Sequence, residues 1–172
     1  MDSESARMSS AAEARFRIDY PNSKPRVVKV VALDAASERV VKRVAQQGWQ
    51  RATFFTSIKF EGAARSGESW SMQAWLSDLA GRTNALVEEV AAADLVVMVS
   101  SAGAGTSAQA AAVIGEACAA RKVMTMALII GSEQRSNEEL SKTLAALRPY
   151  ASMLVIASGD EYIEEMLAAL RA

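Results

Sequence analysis

Apolar segments of strand length alternate with segments of helical periodicity along most of this chain. The predicted strands are Val27–Leu33, Ala52–Thr56, Leu95–Val99, Val123–Ile130 and Met153–Ala157. The predicted helices are Ser37–Gln47, Asn84–Ala92, Ser107–Arg121, Asn137–Leu147 and Asp160–Leu170. This alternation predicts an α/β fold with a doubly wound, mainly parallel five-stranded sheet that carries helices on both faces.

The chain divides into a polar N-terminal segment and one folded unit. Residues 1–25 are rich in Ser, Ala and charged residues and are closed by Pro21 and Pro25, which predicts a mobile tail. The chain of 172 residues has the length for one core, so we predict a single Rossmann-like α/β domain over residues 26–172. The stretch between about residue 57 and Arg82 shows no regular period.

The composition of the chain argues against several classes of function. The 19 basic and 20 acidic side chains nearly cancel, which argues against a nucleic-acid partner. The acidic start of the chain is unlike a signal peptide, and no apolar run reaches the ~18 residues of a membrane span, so we expect a cytoplasmic protein with no membrane partner. The single cysteine, Cys118, fits a reducing compartment and is interpreted as a small core residue rather than a nucleophile.

A glycine-containing turn joins the third predicted strand to the helix that follows it. Small residues let the backbone turn sharply and approach a ligand, and the free N–H groups at a helix start favour an anion. The turn lies at the carboxyl edge of the predicted sheet, where open α/β folds bind ligands. The predicted ligand-binding residues are Ser100, Ser101, Gly103, Ala104, Gly105, Thr106 and Ser107, with Asp34 nearby.

Asp34 ends the first predicted strand and belongs to the same edge. Three roles fit an acidic residue there: it can cap the next helix, orient a hydroxyl group or hold a metal ion. The chain has no histidine, which excludes Ser-His and Cys-His nucleophile systems and histidine metal sites. The paired glutamates Glu88-Glu89, Glu138-Glu139 and Glu164-Glu165 are interpreted as solvent-exposed residues on helix faces. No catalytic or metal-ligating residue is therefore assigned.

Several short segments occur in an order that is found in one protein family. Glu88-Glu89-Val90 and the strand after it lead into the turn Gly103-Ala104-Gly105-Thr106-Ser107-Ala108-Gln109, and Pro149-Tyr150, Met153–Ile156 and Asp160 follow. Together they resemble the nucleotide-binding domain of the FtsZ/tubulin superfamily, over about Val27 to Leu167. The resemblance implies an FtsZ-like fold and a guanine nucleotide or another phosphate-bearing ligand at the Gly103–Ser107 turn.

The chain also departs from the family pattern. Gly103, Gly105 and Thr106 agree with the signature Gly-Gly-Gly-Thr-Gly-Thr-Gly, whereas the other positions of that motif differ. The family's first glycine-rich loop corresponds to Asp34–Glu38, which contains two carboxylates and no glycine. At an effective dielectric constant of about 20, two like charges ~4 Å apart repel by roughly 4 kcal/mol. This loop therefore opposes a diphosphate.

These features predict an accessory or binding protein with a degenerate nucleotide or phosphate pocket, rather than a self-sufficient GTPase. One alternative is an interaction module with an empty pocket, in which the tail or the Trp70–Trp75 segment contacts a protein partner or a second copy of the chain. The other is an enzyme that acts on a small phosphorylated or carboxylated metabolite, with Asp34 as its base or metal ligand.

We expect the purified chain to hydrolyse GTP no faster than a buffer control. The glycines that would face the phosphates are depleted, and the sequence ends before the second domain that completes the hydrolytic site in the family it resembles. Phosphate release followed over time measures this directly. Robust turnover by the isolated chain would contradict the prediction.

Overall fold

The computed structural model describes residues 8–9, 24–57, 75–78, 83–105 and 110–172. Within these ranges the strands are β1 (Met8–Ser9), β2 (Val28–Ala32), β3 (Ala52–Thr56), β4 (Trp75–Asp78), β5 (Thr83–Ala85), β6 (Leu95–Ser101), β7 (Met124–Ile130) and β8 (Met153–Ala157). The α-helices are α1 (Ala35–Ala45), α2 (Leu86–Ala91), α3 (Ala110–Arg121), α4 (Asn137–Leu147) and α5 (Tyr162–Ala169). Short 3-10 turns lie at Ser132–Gln134 and Arg148–Tyr150.

The strands form one sheet in the order β1-β8-β7-β6-β2-β3-β4-β5. Strands β8, β7, β6, β2 and β3 run parallel to one another, and they correspond to the predicted strands. At the two ends of the sheet, β1 adds parallel to β8, while β4 and β5 extend the sheet beyond β3 as antiparallel strands. The predicted doubly wound α/β fold is therefore confirmed.

The direction of winding reverses between β2 and β6. From β2 the chain runs to β3 on one side, whereas from β6 it runs to β7 and then β8 on the other side. Helices α1 and α5 pack on one face of the sheet, and α2, α3 and α4 pack on the opposite face. The loops after β2 and β6 therefore diverge to opposite faces, which forms a crevice of the kind where open α/β sheets bind ligands.

The central strands are buried on both faces. All residues of β2 are buried, with Val28 and Val30 in the core beside α1 and α5 and with Val31 in the core beside the other helices. Parallel strands covered on both sides have near-continuous apolar sequences. This burial explains why the strands could be located from apolar runs alone.

Several element boundaries differ from the sequence predictions. Helix α1 begins at Ala35 rather than Ser37, because Asp34 caps it from the preceding position. Residues 83–85 form β5, so α2 begins at Leu86 rather than Asn84. Strand β4 lies within the stretch that was predicted to be irregular. These short antiparallel strands have too few residues to show a period.

The N-terminal segment has one described part. Met8 and Ser9 pair with Ile156 and Ala157 of β8. The other residues before Lys24 lie outside the described ranges, so the mobile tail stays a prediction. Most of the Trp70–Trp75 segment, which was considered as a contact for a protein partner, also lies outside them. No helix in the described ranges is both long enough and apolar enough to cross a membrane.

Lys29 is a charged residue within the buried strand β2. Its side-chain amine lies 2.7 Å from a carboxylate oxygen of Glu89 and 3.3 Å from the hydroxyl oxygen of Thr53. The amine is also 5.7 Å from the centre of the Phe55 ring. A buried charge is tolerated only where opposite charges and hydrogen bonds replace its hydration. The pair attaches α2 to the middle of the sheet.

The Cys118 thiol should be unreactive in the folded protein. Cys118 is a fully buried residue of α3, and desolvation raises its pKa to about 12, so almost no thiolate forms at neutral pH. Iodoacetamide labelling read by mass spectrometry should modify Cys118 in urea and leave it unmodified in native buffer. Rapid native labelling would contradict its placement in the core.

Candidate anion-binding site

The carboxyl edge of the sheet brings together the residues that the sequence singled out. Asp34 follows β2, Ser100 and Ser101 end β6, and Gly103–Gly105 continues from β6. Thr106 and Ser107 lie outside the described residues. The crevice between β2 and β6 therefore lies between Asp34 on one side and the glycine-containing turn on the other.

The Asp34 carboxylate is the centre of a buried hydrogen-bond network. Oδ1 accepts hydrogen bonds from the backbone N–H groups of Ala36 and Ser37, both at 3.0 Å. Oδ2 accepts a hydrogen bond from the backbone N–H of Ser101 at 2.8 Å, and the Ser100 hydroxyl lies 3.4 Å from it. Asp34 thus caps α1 and bridges to the end of β6, which is one of the three roles left open by the sequence.

The network around Asp34 is reciprocal. The Ser37 hydroxyl accepts a hydrogen bond from the Asp34 backbone N–H at 3.1 Å and donates one to the Asp34 carbonyl at 2.9 Å. Asp34 is only 8% exposed, so its charge is stabilised by these fixed donors rather than by water. The carboxylate occupies the position at the start of α1 where a bound anion would otherwise lie.

Other donors of the predicted site also have partners within the protein. The backbone N–H of Ala104 donates to the Ser101 carbonyl at 3.1 Å, and the Ser100 hydroxyl lies 3.2 Å from the same carbonyl. Ser100 is fully buried. Of the predicted ligand-binding residues that the structure describes, Gly103 and Gly105 are therefore the ones best placed to approach a ligand.

Hydrogen bonds with β7 and α4 fix the start of the turn after β6. The backbone N–H of Ala102 donates to the Ile130 carbonyl at 3.0 Å, and the buried hydroxyl of Thr143 donates to the Ala102 carbonyl at 2.8 Å. Gly105 has a φ of +53°, a left-handed conformation that favours glycine. Gly103 itself is exposed at the surface of the edge.

Arg135 lies over this turn and was not predicted as a site residue. A methyl group in place of a Gly103 hydrogen would lie 3.2 Å from both Nε and Cζ of Arg135, so the guanidinium group rests directly against Gly103. Its side chain remains 50% exposed. A guanidinium group with donors open to solvent beside a glycine turn is suited to bind a phosphate or carboxylate.

Glu139 is the carboxylate that lies close to Arg135. Its Oε1 is 3.6 Å from the Arg135 guanidinium, while Oε2 accepts hydrogen bonds from the backbone and side chain of Ser136. These bonds from Ser136 lower the pKa of Glu139, and the positive charges of Arg135 and Lys142 add to the effect. Glu139 therefore competes with an external anion for Arg135.

Ser132 adds a second polar group to the loop that carries Arg135. Its hydroxyl oxygen is buried, and no described group forms a hydrogen bond with it. A buried hydroxyl without a partner is energetically unfavourable.

Within the described ranges, no cluster of three or more His, Cys, Asp or Glu residues is arranged to hold a metal ion.

Comparisons with known proteins give little beyond the fold. No protein-family model matches this sequence, and the search of curated proteins finds no match. Among solved structures, the chain is similar to translation elongation factor SelB from Methanococcus maripaludis in its apo form, with a TM-score of 0.42 and 10% sequence identity. The match covers 84% of this chain and 35% of SelB, so the chain spans about a third of that protein. The resemblance to FtsZ stays a prediction.

Replacing Asp34 with alanine should destabilise the fold. The substitution removes the cap of α1 and leaves the N–H of Ser101 without its acceptor, at a cost of about 1–3 kcal/mol in the free energy of unfolding. Urea denaturation followed by circular dichroism measures the change.

Asp160→Ala is the matched control for this substitution. It removes a more exposed carboxylate whose partner is Arg43, at 2.9 Å, and should cost only about 0–1 kcal/mol. Equal effects of the two substitutions would show that the bridge from Asp34 to β6 does not stabilise the fold.

Proposed function

We propose that this chain is a binding protein for a small phosphate-bearing anion, held at the Gly103–Gly105 turn beneath Arg135, and not a self-sufficient GTPase. The observation that carries the proposal is the Arg135 guanidinium group resting on exposed Gly103 at the carboxyl edge. Thr106 and Ser107 follow Gly105 in the sequence and remain part of the proposed site. Both a nucleotide and a phosphorylated metabolite carry the phosphate group that this site would bind.

Charge placement supports an anion at this turn rather than at the loop after β2. The Asp34 carboxylate already takes the donors at the start of α1. Glu38, in the first turn of α1, forms an ion pair with Lys42. The Arg135 guanidinium lies on the opposite side of the crevice, against Gly103. Among the described residues of these two loops, Arg135 at the turn after β6 therefore gives a phosphate a positive charge, whereas the loop after β2 presents the Asp34 carboxylate.

The geometry gives less support to an enzyme that uses Asp34. A general base needs a free lone pair within reach of its substrate. Both oxygens of the Asp34 carboxylate accept hydrogen bonds from the backbone, and the residue is buried. We also propose that the protein acts in the cytoplasm, which the buried, unpaired Cys118 supports.

Inorganic phosphate, GDP and GTP should each be tested as ligands by thermal shift and by calorimetry. Replacing Arg135 with glutamine should weaken phosphate binding by about 1.5–3 kcal/mol, or roughly tenfold or more in Kd. Replacing Glu139 with glutamine should tighten it, because glutamine preserves the α4 cap while removing the competing charge.

Arg148→Gln is the matched control for Arg135→Gln, because Arg148 is an exposed arginine that begins the 3-10 turn at the opposite edge of the sheet. This control should leave phosphate binding unchanged. Absence of binding by all three probes, together with no ligand retained in native mass spectra, would overturn the proposal and favour the interaction-module alternative.

A further inference from the structure

The apolar strand β8 lies near one end of the sheet. Its sequence over Met153–Ala157 is Met-Leu-Val-Ile-Ala, with no charged residue and no proline. One side of β8 pairs with β7. The backbone groups on its other side, which we call the β8 edge, pair with β1 at Ile156 and Ala157. In the described part of the chain, no strand pairs with the β8 edge at Met153–Val155.

The two ends of the sheet differ in how their edges are protected. Open strand edges pair readily with other chains, and proteins prevent this with short edge strands, charged side chains, prolines or bulges. At one end, β5 is short, with three residues. At the other end, β8 has five apolar residues, and its cover β1 has two. The few backbone hydrogen bonds of so short a pairing each contribute little after competition with water, so β1 is easily displaced.

Two exposed methionines lie beside the uncovered part of the β8 edge. Met124 is 46% exposed and Met153 is 45% exposed, and they are the exposed large hydrophobic residues of the described ranges. Met124 begins β7 and Met153 begins β8. Met153 lies opposite Met126, two residues along β7 from Met124, so the two exposed side chains share one face of the sheet. They extend the β8 edge with adaptable apolar surface.

We infer that the β8 edge is a self-association surface: when β1 is displaced, β8 pairs antiparallel with β8 of a second copy of this chain. A twofold axis perpendicular to the sheet relates the two strands, so each supplies the same backbone groups. The strand carries no charge, and the formal net charge of the chain is −1, so electrostatic repulsion between two copies is small.

This surface is independent of the proposed anion site. The anion site lies after β6, which is separated from β8 by β7. Self-association through the β8 edge continues the sheet sideways and leaves the turn after β6 uncovered. Phosphate binding and self-association can therefore each fail without the other.

Replacing both Met8 and Ser9 with proline in the full chain tests the cover. Neighbouring residues of a strand direct their N–H groups to opposite sides, so the double substitution removes whichever donor β1 supplies to β8. In sedimentation equilibrium the wild type should have the mass of one chain, 18.3 kDa. The mass of the Met8→Pro/Ser9→Pro variant should rise toward twice that value with concentration. The control Met8→Leu/Ser9→Thr keeps the N–H groups and should stay monomeric.

Two substitutions at Met153 locate the contact. Added to the proline variant, Met153→Lys should restore the mass of one chain, because a charge on an edge strand opposes pairing, whereas Met153→Leu should leave the dimer intact. Amide hydrogen exchange should slow for at least one residue of Met153–Val155 in the dimer, since alternate N–H groups of β8 face away from β7.

Three results would overturn the inference. The first is a proline variant that stays monomeric or a wild type that is already dimeric. The second is association that Met153→Lys does not reverse, which would place the contact elsewhere. The third is loss of the native circular dichroism spectrum in the proline variant, which would show that β1 is required for folding rather than serving as a cover.

Discussion

The hydrogen bonds of the Asp34 carboxylate hold together the part of the fold on which the candidate site depends. One carboxylate oxygen fixes the start of α1, and the other accepts the N–H of Ser101 from the neighbouring strand. These elements leave the sheet on opposite faces at the point where its winding reverses. Such a point is normally an open crevice. In this protein the buried Asp34 carboxylate joins the two sides of that crevice.

The same bridge bears on where the proposed anion would bind. A carboxylate at the start of a helix satisfies the N–H groups that a phosphate would otherwise use. The donors of the loop after β2 are therefore already used within the protein, which favours the turn after β6 over that loop as the place for a ligand. Arg135 lies at that turn. The Thr143 hydroxyl of α4 stabilises the turn by donating a hydrogen bond to the Ala102 carbonyl. Fold stability and ligand position are thus linked through one side chain.

The sequence predicted the parts of this structure that depend on long apolar runs. The parallel strands and the glycine-containing turn were located because their patterns are local. The contact between Arg135 and Gly103 was missed, since it requires that β7 lie beside β6 and that the loop after β7 fold back over the neighbouring turn. The signal available in the sequence was the positively charged residue Arg135, which follows shortly after the end of β7. The role of Asp34 likewise depended on strand order, because Ser101 becomes its partner only when β2 and β6 are adjacent.

The parallel sheet also explains why the proposed anion site lies at the carboxyl edge. Each connecting helix begins at the carboxyl edge and ends at the amino edge, so free N–H groups gather at one edge and free carbonyl groups at the other. Asp34 occupies part of the field at the carboxyl edge, and Arg135 reinforces that field. The side chains thus follow a polarity that the backbone already imposes. A protein of nearly zero net charge can in this way present a local site that favours an anion.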